Sequence, residues 1–372
     1  MNPESLNAAL VIPPPARYLF LVPLLPLVAA AINGLFGRRL QDRFGKTPAR
    51  AIGLGAMLLS LGVALYAFLG PLLHHKGGPR ALLDVVFPMI RIGHLRADMA
   101  FLMDPLSGVM ALVVLSVGAL IHLYLTGKTA GFSAGLSLFV SSMLLLVLGD
   151  NFIVMFFGWA GVGLCGYSLI DFSYREKEGA GSRAFVVGRV GDWGLLIGLC
   201  LLFWGLGGTW TGDGYKSEIT NPDPSELIGT PAVSPRTDTS VARYLGRYIP
   251  VGPTLSFREL RNQLAIADEA GHRPIVDGGG LVVTLQSGSD SRQQEIHFEG
   301  LANKQVWGVS LLFLVGLCFF IGIAGLCAQI PLLVWRRGMT AGPPRALVFF
   351  LVATTVTAGV YLAARLHVLF VR

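Results

Sequence analysis

Twenty consecutive residues without a charged side chain, Asn151 to Ile170, constrain this chain more than any other feature. At 1.5 Å per residue, a helix of that length is about 30 Å long, the thickness of a bilayer's hydrocarbon core. The stretch predicts a transmembrane helix. Gly158, Gly161, Cys165 and Ser168 fall at i, i+3, i+7 and i+10. They line one face with small residues, against which a neighbouring backbone packs closely.

Seven further apolar runs repeat the pattern. The eight spans fall at 18–36, 51–69, 102–125, 131–148, 151–170, 184–206, 306–335 and 346–370. The composition agrees: 53% of residues are hydrophobic and 14% charged, far from the quarter-charged make-up of soluble domains. The net charge of +7 does not indicate nucleic acid, because the basic residues sit in short loops and form no long stripe. Arg38, Arg39, Arg43, Lys46 and Arg50 follow span one, and Lys128, Arg175, Lys177, Arg183, Arg336, Arg337 and Arg345 follow spans three, five and seven. The positive-inside rule makes those loops cytoplasmic and puts both termini on the outer, periplasmic side of a bacterial-type inner membrane. The start of the chain has Arg17 as its only basic residue and no early cleavage site, so span one is expected to stay attached.

The organisation expected is helices one to three over 1–130, helices four to six over 131–206, an outward-facing polar insertion over 207–305, and helices seven and eight over 306–372. Within the insertion, 256–265 has helical spacing. Residues 281–286 and 293–298, separated by a Ser/Gly/Asp turn, predict a β-hairpin. The fold class is therefore an all-α polytopic membrane protein with a small extramembrane insertion.

Metal and disulfide chemistry find little support. Cys165, Cys200, Cys318 and Cys327 all lie in apolar segments without CxxC spacing, which suits small packing residues. His74, His75 and His94, in the outer loop 71–100, have no accompanying carboxylate or cysteine cluster. Inside the spans, Arg189 and Asp192 stand three apart on one helical face, close enough to pair and lower the cost of burying either. They read equally as a structural ion pair or as part of a proton path. His122, near the end of span three, reads as a hydrogen-bonded structural histidine. In Gln329-Ile330-Pro331 the proline removes a helical N–H and breaks or kinks span seven. Such a break marks a transport site or serves packing alone.

The wording of several spans goes further. Gly158-Trp159 with the following Ala160-Gly161-Val162-Gly163-Leu164-Cys165-Gly166, Asp104-Pro105-Leu106-Ser107, the Leu120-Ile121-His122-Leu123-Tyr124 ending, Gly325-Leu326-Cys327-Ala328-Gln329-Ile330-Pro331 and Val356-Thr357-Ala358-Gly359-Val360-Tyr361-Leu362 occur in one order. That set resembles the antiporter-like membrane-arm subunits of respiratory complex I, subunit L of NADH-quinone oxidoreductase above all. The resemblance implies one five-helix antiporter-like repeat with a discontinuous seventh helix. It also implies a subunit whose assembly couples electron transfer to proton translocation.

Three departures stand out. The glutamate, lysine and histidine that form the family's mid-membrane proton path are replaced here by Ala160, Leu326 and Leu351. The resemblance therefore implies an impaired half-channel and no catalytic residue in this chain. NADH, FMN, iron-sulfur clusters and quinone are expected in partner subunits, since no phosphate-binding loop or cluster ligand set is present. The partners implied are other membrane-arm subunits, membrane lipid and, on one reading, a second chain supplying the other repeat; nucleic acid is not among them. The rival readings are a non-translocating structural subunit of the same assembly and a subunit of a multi-subunit sodium/proton antiporter.

Overall fold

Helices occupy every apolar run in the computed structural model, which describes residues 15–45, 47–74, 80–92, 95–124, 129–173, 180–205, 241–244, 247–250, 255–257, 260, 279–287, 290–298, 304–327 and 345–370. They are α1 (Leu21–Leu35), α2 (Gly37–Phe44), α3 (Thr47–Ala67, continued by a π-helical turn, Phe68–Leu72), α4 (Pro105–Tyr124) and α5 (Ala130–Leu148). After them come α6 (Phe152–Ser173), α7 (Ala180–Gly205), α8 (Leu311–Leu326) and α9 (Arg345–Phe370). By length and apolarity, three described helices suffice to cross a membrane: α3 with its π turn, α4 and α5. A fourth is added if α1 and α2, bent by 68°, count as one span. The expectation of eight spans is thus met by a helix in each run, but not by eight described helices of spanning length.

The core gathers around α5. It is buried on nearly every side, by α1 and α4 at one flank and α6 at the other. A helix so enclosed cannot carry unsatisfied hydroxyls, and its serines are accordingly bonded. Ser141 Oγ donates to the Pro23 carbonyl at 2.8 Å, and Ser142 Oγ donates to the Leu138 carbonyl at 2.9 Å. A related repair joins α3 to α1. Pro26 has no N–H to offer the Val22 carbonyl four residues back, and Ser60 Oγ supplies the missing donor at 2.6 Å.

The outer loop 71–100, expected only as a connection between spans two and three, carries a hairpin. β1 (Leu82–Ile92) pairs antiparallel with β2 (Leu95–Met103), so Leu102 and Met103, expected to open span three, end a strand instead. Pro88 inside β1 obscures the strand in the sequence. It is tolerated because the register shifts between Val85 and Phe87 and again between Pro88 and Ile90. The hairpin secures the start of α1: the Leu83 carbonyl accepts from Ala16 N at 2.7 Å, and Asp84 Oδ2 accepts from Phe20 N at 3.0 Å. Burial raises the Asp84 carboxyl above the usual range, and the backbone donors Phe20 and Leu19 offset that only partly.

In the insertion, β5 (Gly279–Ser287) pairs with β6 (Asp290–Phe298), the expected hairpin extended by a few residues. A second hairpin, β3 (Val241–Tyr244) with β4 (Arg247–Pro250), was not expected. Of the helical stretch 256–265 only its start is described, where Leu260 N donates to the Ser256 carbonyl at 3.0 Å. Span seven also begins later than expected. β7 (Gln305–Val306) and β8 (Val309–Ser310) form a two-residue hairpin before α8, turning at Trp307 (φ 54°) and Gly308 (φ 78°). Ser310 then caps α8, its Oγ accepting from Phe313 N.

Candidate proton-path site

Small residues decide how the helices around the site meet. Gly158 and Gly161 lie against the Leu146 backbone and Ser142 of α5, where any side chain at Gly158 would strike the backbone. Cys165 continues this buried face, whereas Ser168 is half-buried and bonds the Leu164 carbonyl of its own helix. A second close contact was not foreseen. A Cβ on Gly191 of α7 would sit 2.9 Å from Gly325 Cα and 3.1 Å from the Gly322 carbonyl of α8, and Gly194 and Gly198 approach Cys318 similarly. The other cysteines differ in setting: Cys327 is buried, Cys318 half-buried and Cys200 exposed, so only some serve the expected packing role.

These contacts bring four of the positions singled out in the sequence, Ala160, Arg189, Asp192 and Leu326, onto adjoining helices. Arg189 Nη1 and Asp192 Oδ2 are 2.7 Å apart, the pair expected from their spacing. Arg189 also reaches across to α6, where a Cβ on Gly163 would be 3.0 Å from its Nη2. Ala160 lies three residues before Gly163 on the same face and is half-buried. Trp159, fully buried, has its indole beside the Asp192 carboxyl. On α8, Leu326 is buried and directly follows Gly325, which touches Gly191, the neighbour of Asp192. Cys327 closes α8 and donates from Sγ to the Thr355 carbonyl of α9 at 3.1 Å. Leu351 lies in α9 one turn before Thr355. Gln329 and Pro331 fall outside the described residues, as do His75 and His94.

His122 belongs to a different part of the bundle. Its Nδ1 pairs with the Gly118 carbonyl at 3.0 Å, which fixes the proton there, and its Nε2 faces Ser137 Oγ at 3.3 Å. Both ring nitrogens are therefore satisfied within the core, as a structural histidine requires.

A further polar cluster was missed as chemistry, although Asp104 and Tyr361 belong to the quoted motifs. Arg365 grips Asp104 with two bonds, Nη1 to Oδ2 at 2.6 Å and Nη2 to Oδ1 at 3.0 Å, while its Nε donates to Tyr361 Oη at 2.8 Å. Tyr361 Oη in turn donates to the Val147 carbonyl at the end of α5 at 2.6 Å. Asp104 is also the N-cap of α4. It accepts from Ser107 N at 2.8 Å, Ser107 Oγ accepts from Asp104 N at 2.8 Å, and Pro105 fills the first helical position. This is a reciprocal capping arrangement with proline at its preferred place. The Phe257 ring covers the guanidinium at 5.8 Å.

Phe257 is held there by an antiparallel bridge between Asn151 and Ser256. Phe152 N donates to the Leu255 carbonyl and Phe257 N to the Asp150 carbonyl, both at 2.9 Å, and Ser256 Oγ donates to Asp150 Oδ2 at 3.0 Å.

Buried, apolar and closely packed helices with two internal ion pairs among the described residues define a polytopic membrane protein. Two family models match the chain: the N-terminus of NADH-ubiquinone oxidoreductase (complex I) chain 5 over residues 89–127, and the NADH:quinone oxidoreductase/Mrp antiporter transmembrane family over 149–213. Subunit L of NADH-quinone oxidoreductase from Escherichia coli is 30% identical over 338 residues, covering 89% of this chain and 41% of that protein. The Mycobacterium tuberculosis subunit L is 40% identical over 195 residues, 50% of this chain and 30% of that one. The chain belongs to the complex I subunit L and chain 5 family as a partial-length homologue, spanning about two fifths of the E. coli subunit's length.

Among solved structures, the archaeal membrane-bound sulfane sulfur reductase complex aligns with a TM-score of 0.57 at 13% identity, over 94% of this chain and 40% of the other. The Mrp complex from Dietzia aligns at 0.55 and 20% identity, over 93% and 27%. At these identities the two establish a shared fold.

Proposed function

We propose that this chain is a membrane-arm subunit of a proton-translocating, complex I-like NADH-quinone oxidoreductase whose own half-channel is impaired. The observation that carries the reading is the apolar replacement at the centre of an otherwise preserved framework. Ala160 on α6 and the buried Leu326 on α8 stand on the two helices that pack against α7, which carries Arg189 and Asp192. A proton relay needs groups that bind and release protons, and alanine and leucine have none to exchange. They also give water no polar partner to hold it in place. Redox groups then belong to partner subunits, and the assembly drives translocation through its other channels.

The test is to reconstitute the assembly in vesicles and measure protons moved per NADH oxidised, comparing the native chain with an Arg189→Ala/Asp192→Ala double variant. An unchanged ratio with altered assembly or stability is expected. A lowered ratio with normal assembly and electron transfer overturns the impaired-channel reading. The second reading, a subunit of a sodium/proton antiporter, is favoured by the likeness to the Mrp complex and by the description of the matching family model. Purification in mild detergent from the host membrane separates the two: redox subunits in the retained complex support the first, and their absence alongside antiporter subunits supports the second.

A further inference from the structure

The chain turns by 68° after α1 and runs for eight residues as α2 before α3 begins. α2, Gly-Arg-Arg-Leu-Gln-Asp-Arg-Phe, divides cleanly around its axis at 100° per residue. Gly37 and Gln41 face the bundle: Gly37 lies against Ala130, and Gln41 Oε1 accepts from Ala130 N at 3.2 Å, capping α5. Leu40 and Phe44 occupy the adjoining flank. Arg38, Arg39 and Arg43 are exposed on the far side, with Asp42 as the sole acidic residue there. Arg43 lies 5.5 Å from the Phe44 ring, where the cationic and apolar flanks meet.

The apolar residues beside this helix are exposed to a degree that water would not tolerate. Leu35 is 77% exposed, Phe44 63% and Phe36 50%. Tyr124, 68% exposed, ends α4 at the same end of the bundle, where Arg50 Nη2 donates to the Leu123 carbonyl at 3.0 Å. Aromatic rings and arginines at the ends of apolar helices mark the depth of the headgroups. A helix lying across that depth with one cationic flank and one apolar flank matches the chemistry of an anionic phospholipid.

We propose that α2 is an interfacial helix that holds anionic phospholipid, with Arg38, Arg39 and Arg43 on the phosphate and Leu35, Phe36 and Phe44 among the acyl chains. Gly45, at φ 77° with open space around it, lets the chain leave α2 and rise again into α3 without moving the helix from this depth. The assignment depends on the membrane-spanning fold and not on whether the half-channel conducts.

The full chain is reconstituted into vesicles of phosphatidylcholine in which a third of the lipid is phosphatidylglycerol, then extracted in mild detergent, and the retained lipid is measured by mass spectrometry. The native protein should retain phosphatidylglycerol in preference to phosphatidylcholine, and added glycerol phosphate should not displace it. In an Arg38→Gln/Arg39→Gln/Arg43→Gln variant the preference should fall about fivefold for each arginine removed at low salt, and less at high salt. Should the triple variant fold poorly, Arg39→Gln and Arg43→Gln singly read the same effect. An unchanged preference in the variants, or none in the native protein, overturns the proposal. So does loss of an acidic protein partner from the host membrane with the lipid preference intact, which would assign the arginines to that partner.

Discussion

At one end of the bundle, Asp104, Arg365 and Tyr361 form a closed set in which the charged groups meet their partners at short distance, whereas the positions proposed above to have lost titratable groups, Ala160, Leu326 and Leu351, carry apolar side chains. The two regions share helices: α9 carries both Arg365 and Leu351, and α7 and α8 touch within a residue of Asp192 and Leu326. Asp104 with Ser107 caps α4, and Tyr361 with Arg365 ties α9 to both α4 and α5. Holding helices together needs side chains with fixed partners, whereas the proposed proton path needs groups that bind and release protons.

The clamp should respond most strongly to substitution. Arg365→Ala strands Asp104 in a site where its side chain is only 14% exposed, and should cost about 3 to 5 kcal/mol, read as a large fall in melting temperature in detergent. Removing both charges with Arg365→Met and Asp104→Leu should cost clearly less. If the single variant melts like the native protein, the contrast between the two regions fails.

The close helix contacts come next. Gly191→Leu forces α7 away from α8 and should cost about 1 to 3 kcal/mol, whereas Gly188→Leu, three residues earlier with nothing within 4 Å, should be nearly silent. Equal effects would mean that the α7–α8 backbone contact does not set the geometry around Leu326. Ser107→Ala tests the cap alone. Loss of the hydroxyl that accepts from Asp104 N, with the backbone bond from Ser107 N to Asp104 Oδ1 kept, should cost about 1 kcal/mol, leaving the arginine grip intact.

The smallest effect concerns the hairpin. Burial raises the Asp84 carboxyl above its usual value, so the folded state takes up a proton more readily than the unfolded one. Stability carried by this group therefore falls as pH rises from the ordinary carboxylate value, about 3.9, through the folded value, and is level above it. Asp84→Asn retains an acceptor for Phe20 N without the buried charge. It should stabilise the protein at neutral pH by less than about 1 kcal/mol, with the gain shrinking toward about pH 4. A gain that persists in acid would place its origin elsewhere.

Apolar periodicity made the helices legible, because a membrane core admits few alternatives to a long uncharged run. The Arg189–Asp192 pair was equally legible, since three residues on a helix bring side chains together wherever the helix lies. β1 was not, because Pro88 argues against a strand unless the bulges on either side of it are known. Nor was the clamp: Asp104 and Arg365 stand 261 residues apart, and no local spacing announces their meeting. The bend into α2 is written only in the change from apolar residues to Arg38 and Arg39, which also suits an ordinary loop.

That separation of 261 residues sets an order of events during biosynthesis. At about 5 to 20 residues per second, the ribosome needs roughly 13 to 52 s after making Asp104 to reach Arg365. In that interval α4 already has its cap from Ser107, because the cap is local, but the carboxylate has no guanidinium to neutralise it. The nascent bundle therefore exists for a time as a looser intermediate, open at the edge that α9 will cover.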